Sequence, residues 1–122
     1  TLDRTAMELA RAYHTVILAS GRVDIITDGK RLVHVKNGNP QLSGITGTGC
    51  MLGALTAAYL SVQPDMDAAV TACVVLGICG QLAETDRGSG SFQVNLMDKL
   101  STVGKAEIER YMDREEIRNE EA

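Results

Sequence analysis

Thr46-Gly47-Thr48-Gly49-Cys50-Met51-Leu52-Gly53-Ala54-Leu55-Thr56-Ala57-Ala58-Tyr59-Leu60 sets a glycine-rich stretch and a cysteine directly before a run of Leu and Ala. The pattern predicts a loop that opens a helix over about 48–62. The first amides of a helix have no acceptor within it. Glycine removes the Cβ that would hold a ligand away, so such a helix start attracts an anion, phosphate foremost. The amides of Gly47, Thr48, Gly49 and Cys50 form the candidate anion hole. The dipole that favours phosphate also favours a thiolate at Cys50. The stretch is no Walker loop, because no Lys-Ser or Lys-Thr follows it. Nor is it a dinucleotide fingerprint, whose third glycine and preceding strand are misplaced here. Turns of this kind also serve plain helix packing, and the motif alone leaves both readings open. If it binds a transferring phosphoryl group, its amides stabilise the charge, and Cys50 lies where an attacking hydroxyl would meet it.

Upstream, Leu2, Ala6, Leu9, Ala10 and Tyr13 recur at helical spacing over 2–13. The apolar run 15–19 then reads as a strand buried on both faces, as in a central parallel strand. Two β-prone segments, 23–27 and 30–36, flank Asp28-Gly29, a strong hairpin signal. Asn37-Gly38-Asn39-Pro40 marks a second turn.

Downstream, Pro64-Asp65 opens a helix over about 65–86 that is apolar nearly all round. Such a helix is buried on every side. Gly88-Ser89-Gly90-Ser91 reads as a flexible turn, and Phe92, Val94, Leu96, Met97 and Leu100 as a shorter amphipathic helix. From about residue 104 the chain is strongly charged, with Glu107, Glu109, Glu115, Glu116, Glu120 and Glu121, and reads as a solvated helix. The domain expectation is therefore one α/β portion over 1–103 and a charged helical tail over 104–122.

The whole chain has 122 residues, enough for one modest domain. With no Trp and a single Phe, its core must be aliphatic. A net charge of −4 argues against nucleic acid as a partner. No apolar run approaches the ~20 residues of a membrane span. The three cysteines lack paired spacing, which suggests no disulfide framework and a reducing, cytoplasmic setting. Cys73 and Cys79 lie in an apolar run and read as small buried hydrophobes. His14 and His34 are isolated, and Asp24 and Asp28 read as turn-shaping residues.

Gly47-Thr48-Gly49-Cys50 followed by Met51-Leu52 resembles the motif of the ribokinase-like superfamily, usually Gly-Ala/Thr-Gly-Asp. Cysteine at the Asp position is similar to the hydroxyethylthiazole kinase branch. Ser20-Gly21-Arg22-Val23-Asp24 with Thr27-Asp28-Gly29 resembles that branch's Thr-Gly-x-x-Asp and Thr-Asp-Gly. Asn37-Gly38-Asn39-Pro40-Gln41-Leu42 resembles its Asn-Gly-His-x-Leu-Leu, and Gly88-Ser89-Gly90-Ser91-Phe92 its Gly-Pro-Gly-Ser-Phe. The matches run in order over roughly residues 1–103.

The resemblance implies the C-terminal half of a ribokinase-like three-layer α/β/α fold, with few strands and several covering helices. It implies phosphorylation of 4-methyl-5-(2-hydroxyethyl)thiazole with ATP and Mg²⁺, in thiamine biosynthesis and salvage. By position, Cys50 takes the catalytic place, Gly47 contacts the thiazole, and Ser20 stands where the family has an ATP-contacting Thr. No metal ligand is assigned. The family's chain is about twice this length, so a missing N-terminal half or a companion chain is expected to complete the enzyme, and the isolated chain to be inactive. The family implies a homotrimer. Two alternatives stand beside this: another small-alcohol kinase of the superfamily, and a non-catalytic truncated remnant or partner-dependent subunit.

Overall fold

The computed structural model describes residues 1–118. Helix α1 (Leu2–Tyr13) leads into strands β1 (Ile17–Ala19), β2 (Asp24–Thr27) and β3 (Leu32–Val35). A 3-10 turn (Pro40–Gly44) precedes α2 (Thr48–Leu60), α3 (Met66–Leu82), α4 (Ser89–Thr102), α5 (Lys105–Tyr111) and β4 (Arg114–Ile117). The four strands form one sheet in the order β1-β2-β3-β4, each pair antiparallel.

The hairpin forms where Asp28-Gly29 marks it. Asp28 Oδ1 accepts from the Lys30 and Arg31 amides at 2.9 and 2.8 Å. Gly29 sits at φ +95°, in the left-handed region that glycine tolerates best. Its carbonyl accepts from Arg11 Nε at 2.7 Å, which pins α1 to the hairpin.

Alternation along the hairpin divides the core into two layers. Ile25 and Leu32 face α1 and pack with Ala6 and Met7. His34 shares that face and meets Asp3 of α1 at 2.9 Å. Ile26, Val33 and Val35 face the other way and pack with Val70, Cys73 and Val74 of α3. The far side of α3 carries Val75, Leu76 and Cys79 into a second cluster with Phe92 and Leu96 of α4. Met51, Leu52, Leu55 and Tyr59 of α2 border that cluster. Helix α3 is therefore apolar all round because it has the sheet on one side and helices on the other. Helix–sheet–helix layering follows, with few strands and several covering helices.

Three local expectations differ from what forms. The run 15–19 reads as a central parallel strand, yet β1 is antiparallel to β2, half-buried along its length, and at the edge of the described sheet. A continuous apolar run reports burial but carries no information on strand direction or on the number of neighbours. Residues 89–91 are the first turn of α4, not a flexible loop, with the Phe92 amide donating to the Gly88 carbonyl at 3.0 Å. Phe92, fully buried, anchors that turn.

In the charged tail, the helix ends at Tyr111 and the chain returns as β4 along β3. Cross-strand ion pairs hold it there: Arg31–Glu116 at 3.0 Å and Lys36–Glu115 at 3.7 Å. The Arg31 guanidinium also pairs with Asp67 at 3.0 Å and holds Glu116 below the usual carboxylate range. Glu120 and Glu121 lie outside the described residues. No helix among the described residues is long and apolar enough to cross a membrane.

Candidate functional site

Helix α2 begins at Thr48 with Gly47 as its N-cap, at φ +96°. The backbone there is left-handed, which explains why glycine stands at 47. No side chain caps this helix, in contrast to Thr1 on α1 and Asp65 on α3. The Met51 amide donates to the Gly47 carbonyl at 2.9 Å and closes the first turn. The amides before it are the ones a helix leaves without internal partners. Built Cβ atoms at Gly47 and Gly49 would meet nothing within 4 Å, so the space in front of the turn is open.

That turn opens on a cleft of about 790 Å³. Thr48 and Gly49 line it from α2, residues 20–24 from the turn after β1, and residues 36–40 from the end of β3. Cys73, Leu76 and Gly77 of α3 form its floor, with Leu42, Ser43 and Leu52. Ser20 and the helix start, which are far apart in sequence, thus share one cavity. Gly47 and Cys50 stand at the same helix start but outside the cleft lining, and the Cys50 thiol is exposed.

The cleft walls are held by polar side chains that sequence reading passed over. Asn37 is 6% exposed. Its amide nitrogen donates to Gln81 Oε1 and to the Tyr111 carbonyl, both at 2.7 Å. Its oxygen accepts from the Asp113 amide at 2.7 Å. The wall at 36–40 is thereby tied both to α3 and to the junction of α5 and β4. Reading Asn37-Gly38 as turn residues found the turn but not the anchor; the signal would have been an Asn next to β-branched core residues.

Asp24 bridges the β1–β2 turn, accepting from the Gly21 amide at 3.0 Å. The turn-shaping role read for Asp24 and Asp28 is what these bonds show. Burial pushes the Asp24 carboxyl above its ordinary value of 3.8, against the Gly21 amide and the Cys73 thiol, which lower it. Burial likewise pushes the thiols of Cys73 and Cys79 up, Cys79 to about 11, so both are neutral packing groups.

A carboxyl whose folded pKa exceeds its unfolded one binds its proton more tightly in the fold. The fold then loses stability as pH rises from 3.8 through the raised value, and the loss persists above it. Asp24→Asn keeps an oxygen for the Gly21 amide and removes the charge. We expect the variant to melt higher than wild type at pH 7–8, with the gap closing towards pH 4. Melting curves across that range check it; a gap that widens in acid contradicts it.

A glycine-turned, uncapped helix start facing a sheet-edge turn across a cleft defines a class: an α/β chain with an open helix N-terminus set on a cavity. The profile of the hydroxyethylthiazole kinase family matches residues 2–106. The chain belongs to the hydroxyethylthiazole kinase family. It is 42% identical over 113 residues to the hydroxyethylthiazole kinase of Thermoanaerobacter pseudethanolicus, covering 89% of this chain and 43% of that one. It is 37% identical over 117 residues to that of Methanosarcina mazei, covering 94% and 45%. The solved structure of the hydroxyethylthiazole kinase protein from Pyrococcus horikoshii OT3 superposes with a TM-score of 0.91 at 36% identity. That match covers 95% of this chain and 46% of the other. The chain thus spans less than half the length of the curated relatives it matches.

Proposed function

We propose that this chain supplies the phosphoryl-binding part, and one wall of the nucleotide site, of an ATP-dependent kinase acting on the hydroxyl of 4-methyl-5-(2-hydroxyethyl)thiazole in thiamine biosynthesis. The observation that carries the reading is the uncapped start of α2, whose Thr48 and Gly49 open on the cleft that also holds Ser20. Membership of the family gives that geometry its chemistry.

In this reading the amides of Gly47, Thr48, Gly49 and Cys50 hold the transferring phosphoryl group and stabilise its charge. The Ser20 hydroxyl hydrogen-bonds ATP, and Gly47 lies against the thiazole. Cys50, at the same helix start, meets the attacking hydroxyl. A thiol is a far stronger acid than an alkanol, so Cys50 takes the proton late, when the phosphoryl group is largely transferred. Its principal work is to position the alcohol. Among the described residues no group of three or more His, Cys, Asp or Glu is placed to hold a metal ion. Mg²⁺ would arrive with ATP, held chiefly by its phosphates.

The reaction needs elements beyond these 122 residues, because the relatives that carry the name are more than twice as long as the aligned stretch. Apolar side chains left exposed on α1, Leu2 at 64% and Tyr13 at 74%, and Val62 after α2 at 84%, support partner segments or further subunits at those faces. The test is ATP-dependent phosphorylation of the thiazole by the chain alone and by the chain mixed with the N-terminal portion of the Thermoanaerobacter relative. We expect no turnover from the first and turnover from the second. In the active mixture Cys50→Ala lowers turnover by about 100-fold, in the range seen for lost acid–base groups. A rate within about twofold of wild type removes Cys50 from the mechanism. Failure of the mixture to phosphorylate the thiazole while it phosphorylates another small alcohol reassigns the substrate.

A further inference from the structure

The cleft in front of α2 carries two cations that neither the motif nor the fold requires. Arg22 stands in the β1–β2 turn and Lys36 follows β3; both line the cavity and both are exposed. Arg22 forms no ion pair among the described residues. Lys36 has one, at 3.7 Å to Glu115, and remains 48% exposed. The single carboxylate in the lining is Asp24, whose Oδ1 is already committed to the Gly21 amide. A chain of net charge −4 thus gathers positive charge, and little free negative charge, around one cavity. Thr48 and Gly49, at the start of α2, line the same space.

We propose that Arg22 and Lys36 bind the phosphate chain of a nucleoside polyphosphate in this cleft, and so set the preference for ATP over shorter nucleotides. The inference rests on the proposed kinase reading and adds to it the residues that recognise the polyphosphate from the sheet side. The chemistry suits the placement. The helix start offers a few fixed amides, enough for one phosphoryl group. A triphosphate spreads its charge further, and Arg22 from the β1–β2 turn and Lys36 from the end of β3 reach its remaining oxygens. Because both side chains are exposed, their contribution is screened and falls with salt.

Titration calorimetry of this chain, mixed with the N-terminal portion of the Thermoanaerobacter relative, against ATP, inorganic tripolyphosphate and adenosine tests this, with melting curves to show that the variants fold. We expect wild type to bind ATP and tripolyphosphate. Arg22→Gln and Lys36→Gln each weaken both by about fivefold, and the double variant by more than tenfold, with a shallower dependence on salt. Adenosine binding is unchanged in all. Equal ATP affinity in wild type and the double variant overturns the inference and leaves the nucleotide site standing. Parallel loss of adenosine and ATP binding overturns it in favour of a merely structural role. A wild-type mixture that binds none of the three overturns both the inference and the proposal that this cleft is a nucleotide wall.

Discussion

Gly77→Ala is expected to cost about 3 kcal/mol and to lower the melting temperature by roughly 10 °C or more. A Cβ at 77 would lie 2.6 Å from the carbonyl carbon, Cβ and carbonyl oxygen of Asn37. Two of those three atoms are backbone, and Asn37 is itself fixed by hydrogen bonds to Gln81, Tyr111 and Asp113. Neither partner can retreat, so α3 must shift away from the sheet. The helix propensity gained from Ala, up to about 1 kcal/mol, does not offset this. Gly80 in the same helix supplies the contrast, because the three atoms nearest a Cβ there all belong to the Leu42 side chain, Cδ1 at 2.7 Å and Cγ at 2.9 Å, and none to backbone. That side chain can turn aside, so Gly80→Ala is expected to cost about 1 kcal/mol or less. Thermal melts of the two variants check the order. Because Asn37 and Gly77 both line the cleft, Gly77→Ala should also weaken any ligand bound there.

Asn37→Ala is the second large effect. The side chain satisfies Gln81 Oε1, the Tyr111 carbonyl and the Asp113 amide. Removing it leaves the Tyr111 carbonyl and the Asp113 amide without this partner, each at about 1–3 kcal/mol where it stays shielded from water, while Gln81 Oε1 keeps the Gly38 amide at 3.2 Å. We expect a total loss of about 3 kcal/mol, lessened where water reaches the freed groups. The damage is also local in a telling way. The Lys36 amide donates to the Asp113 carbonyl at 2.8 Å, beside the same junction, and among the described residues β4 pairs only with β3. Losing the Asn37 anchor should let the segment after α5 peel away before the rest unfolds. Hydrogen exchange should therefore show protection lost first over 112–117, and protection there equal to wild type would contradict the account. Asn37→Asp should fare no better, since a carboxylate cannot donate to Gln81 or Tyr111.

Several elements were legible before any coordinates. Asp28-Gly29 located the hairpin because the turn chemistry is local: the Asp carboxylate and a left-handed glycine sit within four residues of each other. The helix start at 48 was legible for the same reason, as Gly47 alone permits φ +96° there. The nearly all-round apolar character read over about 65–86 announced a buried helix, which forms over Met66–Leu82. Direction and pairing were not legible. The run 15–19 gave burial but not its antiparallel register with β2, and the acidic residues after 104 gave solvation but not the strand. Arg114-Glu115-Glu116-Ile117 becomes β4 because β3 offers a free edge and Arg31 and Lys36 offer charges across it. None of those partners lies near it in sequence.

For the candidate site the division is similar. Sequence alone determined the glycine turn and the helix start that puts Cys50 in the first turn of α2, since both depend on residues adjacent in the chain. The order of the glycine, hairpin and Gly-Ser-Phe segments was enough to suggest the family to which the chain belongs. Only the tertiary structure brought Ser20, Arg22 and Lys36 to the cleft that Thr48 and Gly49 open on. It alone made Asn37 the tie between that cleft and the tail. The physical reason is range: capping, turn geometry and periodicity act over a few residues and are written in local sequence. A cleft is made by surfaces that meet only when the sheet has paired and α3 has packed between it and the other helices.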